Sequence, residues 1–153
     1  LRRHRPGAHT YEVVPLKTPP APAALGDWRE ALGEDFSGDA RYAIEFDSPH
    51  AGAATLDLGE VRYACAVTLN GRRVGREFFG PFRFEVRLRR GRNRLAVTVT
   101  NTLANAIAPA AVEAHWAADC PPVSPYESRQ RVFERDSLSS GLVGPVRLIL
   151  RRA

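Results

Sequence analysis

The sequence predicts an all-β fold, a jelly-roll β-sandwich of two antiparallel sheets, on three observations. Apolar and polar residues alternate strictly through Ala54 to Thr100, as where Leu95, Val97 and Val99 share one strand face. Explicit turn chemistry separates these runs at Gly59-Glu60, Asn70-Gly71, Gly80-Pro81 and Arg90-Gly91. A closing run of Val146, Leu148 and Leu150 stands far from its partners, which is the long return connection of a Greek key.

Taken in order, residues 1–24 read as a basic and then proline-rich leader with one strand candidate, Tyr11 to Leu16, and residues 25–153 as the sandwich. After Leu25-Gly26-Asp27-Trp28 comes an acidic loop through Glu34 and Asp35, then a strand in which Tyr42, Ile44 and Phe46 face one way, ended by Ser48-Pro49-His50-Ala51-Gly52. Further strands are expected at Ala54 to Leu58, Tyr63 to Leu69, Arg73 to Gly75, Phe82 to Leu88 and Arg94 to Thr100. Asn70-Gly71 is the strongest of the turn signals, because it supplies two positive-φ positions to a two-residue hairpin. Phe84, Val97 and Leu148 are expected to point into the core. Between Thr102 and Gly144 lies a long irregular stretch, with a short helical turn expected over Ala110 to Trp116; loops of that length in a compact domain are functional or packed as extensions.

A length of 153 residues suits one domain, and 44% apolar with 25% charged residues is ordinary globular composition. No apolar run is long enough for a signal peptide or a membrane span, so no membrane partner is expected and localisation is not encoded. The first residue is Leu1, which suggests a piece of something longer. The formal charge is +5, but all except one of the 22 basic residues are arginine and most interleave with acids. The exception is a cluster from Arg72 to Arg94, where Arg83, Glu85 and Arg87 alternate with Phe82, Phe84, Val86 and Leu88 as on a solvated outer face. No aromatic residues interleave on that face, so no nucleic-acid partner is expected. Cys65 falls in phase with Val67 and Leu69 and reads as a free buried thiol; a bridge to Cys120, in a loop before Pro121-Pro122, is the alternative.

Four segments in fixed order carry a resemblance: Phe36-Ser37-Gly38-Asp39-Ala40-Arg41-Tyr42, Leu56-Asp57-Leu58-Gly59-Glu60-Val61, Val67 through Gly75, and Gly91 through Val99. Together with the closing Ser140-Gly141-Leu142-Val143-Gly144-Pro145-Val146-Arg147-Leu148, they resemble the sugar-binding β-sandwich domain of glycoside hydrolase family 2. Asn101-Thr102-Leu103-Ala104-Asn105 before that ending is most similar to the galactose-binding-like domain at the C-terminus of large bacterial α-L-rhamnosidase-type enzymes. The resemblance spans residues 25–150 and implies an accessory domain, not itself an enzyme, whose parent carries its catalytic carboxylates in a separate barrel. The implied partners are carbohydrate and the catalytic domain of the parent chain.

The chemistry agrees with an accessory role. Glycoside hydrolysis needs two carboxyl groups about 5–10 Å apart across the scissile bond, and nothing in the spacing of Glu34, Asp35, Asp39, Glu60, Glu113 or Asp119 pairs them. His4, His9, His50 and His115 show no zinc spacing with either cysteine, and Ser139-Ser140-Gly141 is a turn rather than a nucleophile elbow. No cofactor is expected, although a structural calcium could draw oxygen ligands from the Glu34, Asp35 and Asp39 loop. Sugar recognition would need an aromatic plane and planar polar partners. Trp116 and Tyr126 are the candidate platforms, with Asn101, Asn105, His115 and Arg41 as polar partners. The alternative has Trp28 and Trp116 plugging the ends of the core and both asparagines bonding backbone at a strand exit. Two functions follow, a non-catalytic carbohydrate-binding accessory domain or a purely structural domain packed on the catalytic barrel; exposed apolar surface would favour the second.

Overall fold

Asn70 and Gly71 adopt φ of 53° and 78° in a computed structural model of the chain, the paired left-handed conformations of a type I′ hairpin. Residues 2–5, 8–13, 21–107 and 138–150 are described. In chain order the elements are β1 (Arg2–Arg5), β2 (Ala8–Val13), a single helical turn α1 (Arg29–Leu32), β3 (Asp39–Ser48), β4 (Gly52–Asp57), β5 (Glu60–Arg62), β6 (Ala64–Leu69), β7 (Arg72–Glu77), β8 (Arg83–Leu88), β9 (Gly91–Thr100), a second turn α2 (Ala104–Ile107), β10 (Gly141–Gly144) and β11 (Arg147–Leu150). One layer has the order β3-β9-β6-β7 and the other β11-β4-β8, with every pairing antiparallel. The short β5 and β10 pair separately, and β1 pairs with β2. The fold is the all-β sandwich that the alternation predicts.

Period-two burial is cleanest in β6 and β8, where every second side chain is buried. Cys65, Val67, Leu69, Leu95, Val97 and Val99 from one layer meet Leu56, Phe84, Val86 and Leu88 from the other. Each such side chain contributes about 1.5–3 kcal/mol when fully buried. Gly75 lets the layers approach, since a Cβ there would lie 3.0 Å from the Phe84 ring. A bulge beside it leaves Val74 unopposed, because Val67 pairs with Gly75 and Thr68 with Arg73.

Several expected elements shift. The run Tyr63 to Leu69 becomes β6 from Ala64, an additional strand β5 occupies Glu60–Arg62 after the Gly59 turn, β9 begins at Gly91, and β7 extends to Glu77. The leader strand lies at Ala8–Val13, and the helical turn expected over Ala110 to Trp116 falls outside the described residues. Phe84 and Val97 are core residues, but Leu148 is not: it sits opposite the buried Leu56 on the inner face and is still 37% exposed. Ile44, in phase with the half-buried Tyr42 and Phe46, is 59% exposed for the same reason. Both lie on edge strands of the same flank. β7 and β8 close the opposite flank against each other, whereas between β3 and β11 the inward Ile44, Leu148 and Leu150 have no covering element among the described residues.

Gly59 shows how tightly the return of the chain is seated. At φ 66°, its Cβ would fall 2.5 Å from the carbonyl of Gly144. Gly59→Ala is expected to destabilise the domain by about 3 kcal/mol or more, against about 1 kcal/mol for Gly71→Ala, which shares the left-handed backbone but has nothing within 4 Å of the new methyl. Equal losses in urea titrations would show that the close approach has no energetic weight. A second expectation concerns Cys65, a free thiol that burial pushes up to about 11, with a backbone hydrogen bond at Glu77 offsetting part of the rise. The unfolded thiol ionises first, so the stabilisation is complete below about pH 8.5 and is lost as pH rises toward the folded value, by about 3 kcal/mol in all. Denaturation midpoints between pH 8 and 11 should therefore fall more steeply for the native protein than for Cys65→Ala.

Candidate functional site

Four strand ends converge at one pole of the sandwich. Asp39 of β3 and Ala64 of β6 both pair with Thr100 at the end of β9, and Cys65 pairs with Glu77 at the end of β7. The chain beyond β9 must turn here, and Asn101 supplies the turn chemistry. Its Oδ1 accepts from the Gly38 N–H at 2.8 Å, while Nδ2 donates to the Phe36 carbonyl at 2.7 Å and to Ser140 Oγ at 3.1 Å. The Ser140 hydroxyl donates to the Leu138 carbonyl at 2.9 Å, and Asn105 Nδ2 donates to that same carbonyl at 2.7 Å. Asn105 and Ser140 are essentially inaccessible to solvent. Such groups are held together because a buried donor or acceptor left unpaired costs about 1–3 kcal/mol.

The junction is sealed from the other side by residues 26–28. Gly26 and Trp28 donate backbone hydrogen bonds to Leu142 and Ser140 at 2.9 Å, and Tyr42 Oη accepts from the Leu142 N–H at 3.3 Å. Gly141 passes between them, for a Cβ there would meet the Gly26 carbonyl at 2.6 Å. Trp28 is buried, with its ring edge-on to Phe36 at 5.7 Å and Nε1 left without a partner. It plugs the end of the core. Asp27 accepts from the backbone N–H of Arg29 and of Ser140 and from Arg29 Nε at 2.7 Å. Partial burial pushes its carboxyl up, but these hydrogen bonds outweigh that and hold it below the ordinary range.

Of the residues expected to touch sugar, the structure brings Asn101 and Asn105 together, but with their amides committed to Phe36, Gly38, Leu138 and Ser140. Arg41 is exposed on the outer face of β3, opposite Thr98, and is not part of this network. Trp116, Tyr126 and His115 lie outside the described residues; the segment that carries them leaves after α2 and rejoins at Leu138, beside Asn105. The shallow depression near this pole, about 240 Å³, is lined by Asp27, Arg29, Glu30 and Glu34 and has no aromatic wall.

Asp57 too is held below the ordinary carboxylate range, through the Gly59 N–H and then Arg83, whereas a glycosidase general acid needs a carboxyl whose pKa is raised. The acids proposed for calcium do not converge: Asp39 accepts from Thr100 Oγ1 at 2.6 Å, and no group of three or more metal-ligating side chains gathers among the described residues.

Sequence reasoning overlooked Phe78 and Phe79, which are 58% and 84% exposed in the loop that leaves β7 at this pole. Their signal was present as a break in alternation, since two adjacent phenylalanines before Gly80-Pro81 cannot both face a core.

No family model matches the chain, and no curated protein does. Solved structures do. Rhamnosidase from Novosphingobium sp. PP1Y matches at 29% identity and a TM-score of 0.54, covering 74% of this chain and 11% of that one. A GH2 beta-galacturonidase from Eisenbergiella tayi matches at 22% identity and TM-score 0.45, over 66% of this chain and 17% of that one. Beta-glucuronidase from Ruminococcus gnavus gives 21% and 0.45, over 54% and 16%. The structural neighbours are glycoside hydrolases. This chain matches only a small part of each, and the weaker two matches carry no inference about their sugars.

Removing the Asn101 amide should leave Gly38, Phe36 and Ser140 short of partners at once. Asn101→Ala is expected to cost about 2–4 kcal/mol in chemical denaturation, whereas Arg41→Ala should change stability by less than about 0.5 kcal/mol. A near-neutral Asn101→Ala would mean that the pole is held by something other than this network.

Proposed function

We propose that the domain is a non-catalytic accessory module of a multidomain glycoside hydrolase, and that it packs on a neighbouring domain of its parent through the flank between β3 and β11. The observation that carries this reading is the exposure of inward-facing Ile44, Leu148 and Leu150. A sandwich normally buries both inner faces. Here one edge of each layer is left uncovered among the described residues, and Ile149 adds a further exposed apolar side chain to β11. The outer edge of β11 also has unpaired backbone groups among the described residues, and its only charged residue is Arg147. Natural edges with so little charge are usually covered. The match of most of this chain to a small part of a rhamnosidase supports a partner supplied by a larger polypeptide.

Carbohydrate binding is the second reading. It is favoured by one specific feature, that Asn105 and Leu138, which flank the part of the sequence holding Trp116, Tyr126 and His115, meet at the Asn101-Ser140 pole. Sugar contacts by that segment would then be displayed at one end of a docked scaffold.

The two readings separate experimentally. If the flank is an interface, Leu148→Glu and Leu150→Glu should preserve the fold, weaken association with the parent's catalytic domain about tenfold or more in calorimetric titration, and lower binding of an apolar dye. Undiminished association in both variants would dismiss the flank. Heat evolved with rhamnose, galactose or plant oligosaccharides would establish the carbohydrate reading beside it, and silence with all of them would leave docking alone.

A further inference from the structure

The flank opposite the open one displays charge and aromatic surface together. β7 is an edge strand, and Arg72, Arg73 and Arg76 are all exposed on it. Two other arginines are paired with acids, Arg83 with Asp57 at 2.8 Å and Arg62 with Glu60 at 2.6 Å. Arg72, Arg73 and Arg76 have no acidic partner among the described residues. Arg73 and Arg76 stand opposite Thr68 and Ala66 on the outer face, where the small neighbours leave both guanidinium groups unobstructed. Two residues beyond Arg76 come Phe78 and Phe79, more exposed than any aromatic ring of the core.

The loop that carries the two rings is fixed at its C-terminal end. Phe82 is buried, its carbonyl accepts from the Leu58 N–H at 3.0 Å, and the Arg83 N–H donates to Pro81 at 3.0 Å. Exposed phenyl rings on an anchored loop expose apolar area to water permanently, which is the pre-organisation that a stacking ligand uses. From Arg73 to Phe78 the strand runs about 16 Å at the usual rise per residue. A short run of linked pyranose rings fits that length.

We infer that this strip binds an acidic oligosaccharide, with Phe78 and Phe79 taking the C–H faces of the sugar rings and Arg73 and Arg76 pairing with their carboxylates. Guanidinium forks match carboxylate geometry, and phenyl faces match the apolar side of a pyranose. The inference rests on the accessory-domain reading only for the choice of a sugar over a nucleic acid, which stacking and positive charge would also suit. It does not rest on the flank interface, since β7 and β3 are opposite edges of one sheet.

The test uses tetragalacturonate, its carboxyl-reduced neutral counterpart and a single-stranded oligodeoxynucleotide of equal charge, titrated into the protein by NMR or calorimetry. Tetragalacturonate should bind in the millimolar range or tighter and weaken as salt is added, and the neutral counterpart should bind about fivefold more weakly or not at all. Phe79→Ala and Phe79→Leu should each weaken binding about fivefold, the second because it keeps apolar bulk and removes the aromatic face. Arg76→Gln should weaken it comparably and flatten the salt dependence. Because both side chains are exposed, the variants should melt as the native protein does. No binding of tetragalacturonate, equal binding of the neutral sugar, indifference to Phe79→Leu, or tighter binding of the oligodeoxynucleotide would each overturn the inference. None of these results bears on the β3/β11 interface.

Discussion

The return of the chain through Ser140 and Gly141 is the constraint on which the rest of the structure depends. Those two residues enter a space already bounded by Asn101, Tyr42 and the 26–28 segment, where a side chain at Gly141 would overlap the Gly26 carbonyl. Ser140 fits because its hydroxyl is small and can both accept from Asn101 and donate to Leu138. Once seated, the chain continues as β10 and, after Gly144 passes over Gly59, delivers β11 to the edge of β4. The smaller layer is thus completed by residues about ninety positions from their partners, so its entropy of closure is repaid only when this seat is filled.

Much of the sandwich was legible because its determinants are local. Asn70-Gly71 fixes a hairpin by backbone conformation alone, and strict alternation assigns Val67, Phe84 and Val97 to an inner face without knowledge of what lies across from them. The same alternation misplaces Leu148 and Ile44. Periodicity gives the direction of a side chain, whereas burial also requires an opposing element, and at the edges of β3 and β11 that element is not adjacent in sequence. The strand β5, where the sequence reads a turn at Gly59-Glu60, was illegible for a related reason, since it exists through its pairing with distant β10.

The candidate site was legible in composition, and of the two roles open to its asparagines the structure shows the backbone-bonding one. Asn101 and Asn105 have the planar amides that sugar recognition uses, and the same amides satisfy backbone groups stranded where β9 ends. Nothing in a linear sequence says which demand is met, because Ser140 and Leu138, which decide it, lie more than thirty residues away. Phe78 and Phe79 were passed over because attention to periodic runs discounts the residues that interrupt them.

These placements give the two flanks unlike characters. The β3/β11 side exposes aliphatic side chains that belong to the interior, a surface whose favourable fate is removal from water by a complementary solid face. The β7 side exposes guanidinium groups and aromatic rings, a surface suited to a polar ligand rather than to a solid apolar face. A domain fixed along the first flank would still present the second outward, because the four-stranded sheet separates them by its full width. The proposed docking and the proposed ligand capture would therefore not compete for surface. Between them, Asp27 and Asp57 are held below the usual carboxylate range by hydrogen bonds to backbone and arginine, an arrangement that fixes the loops in which they sit.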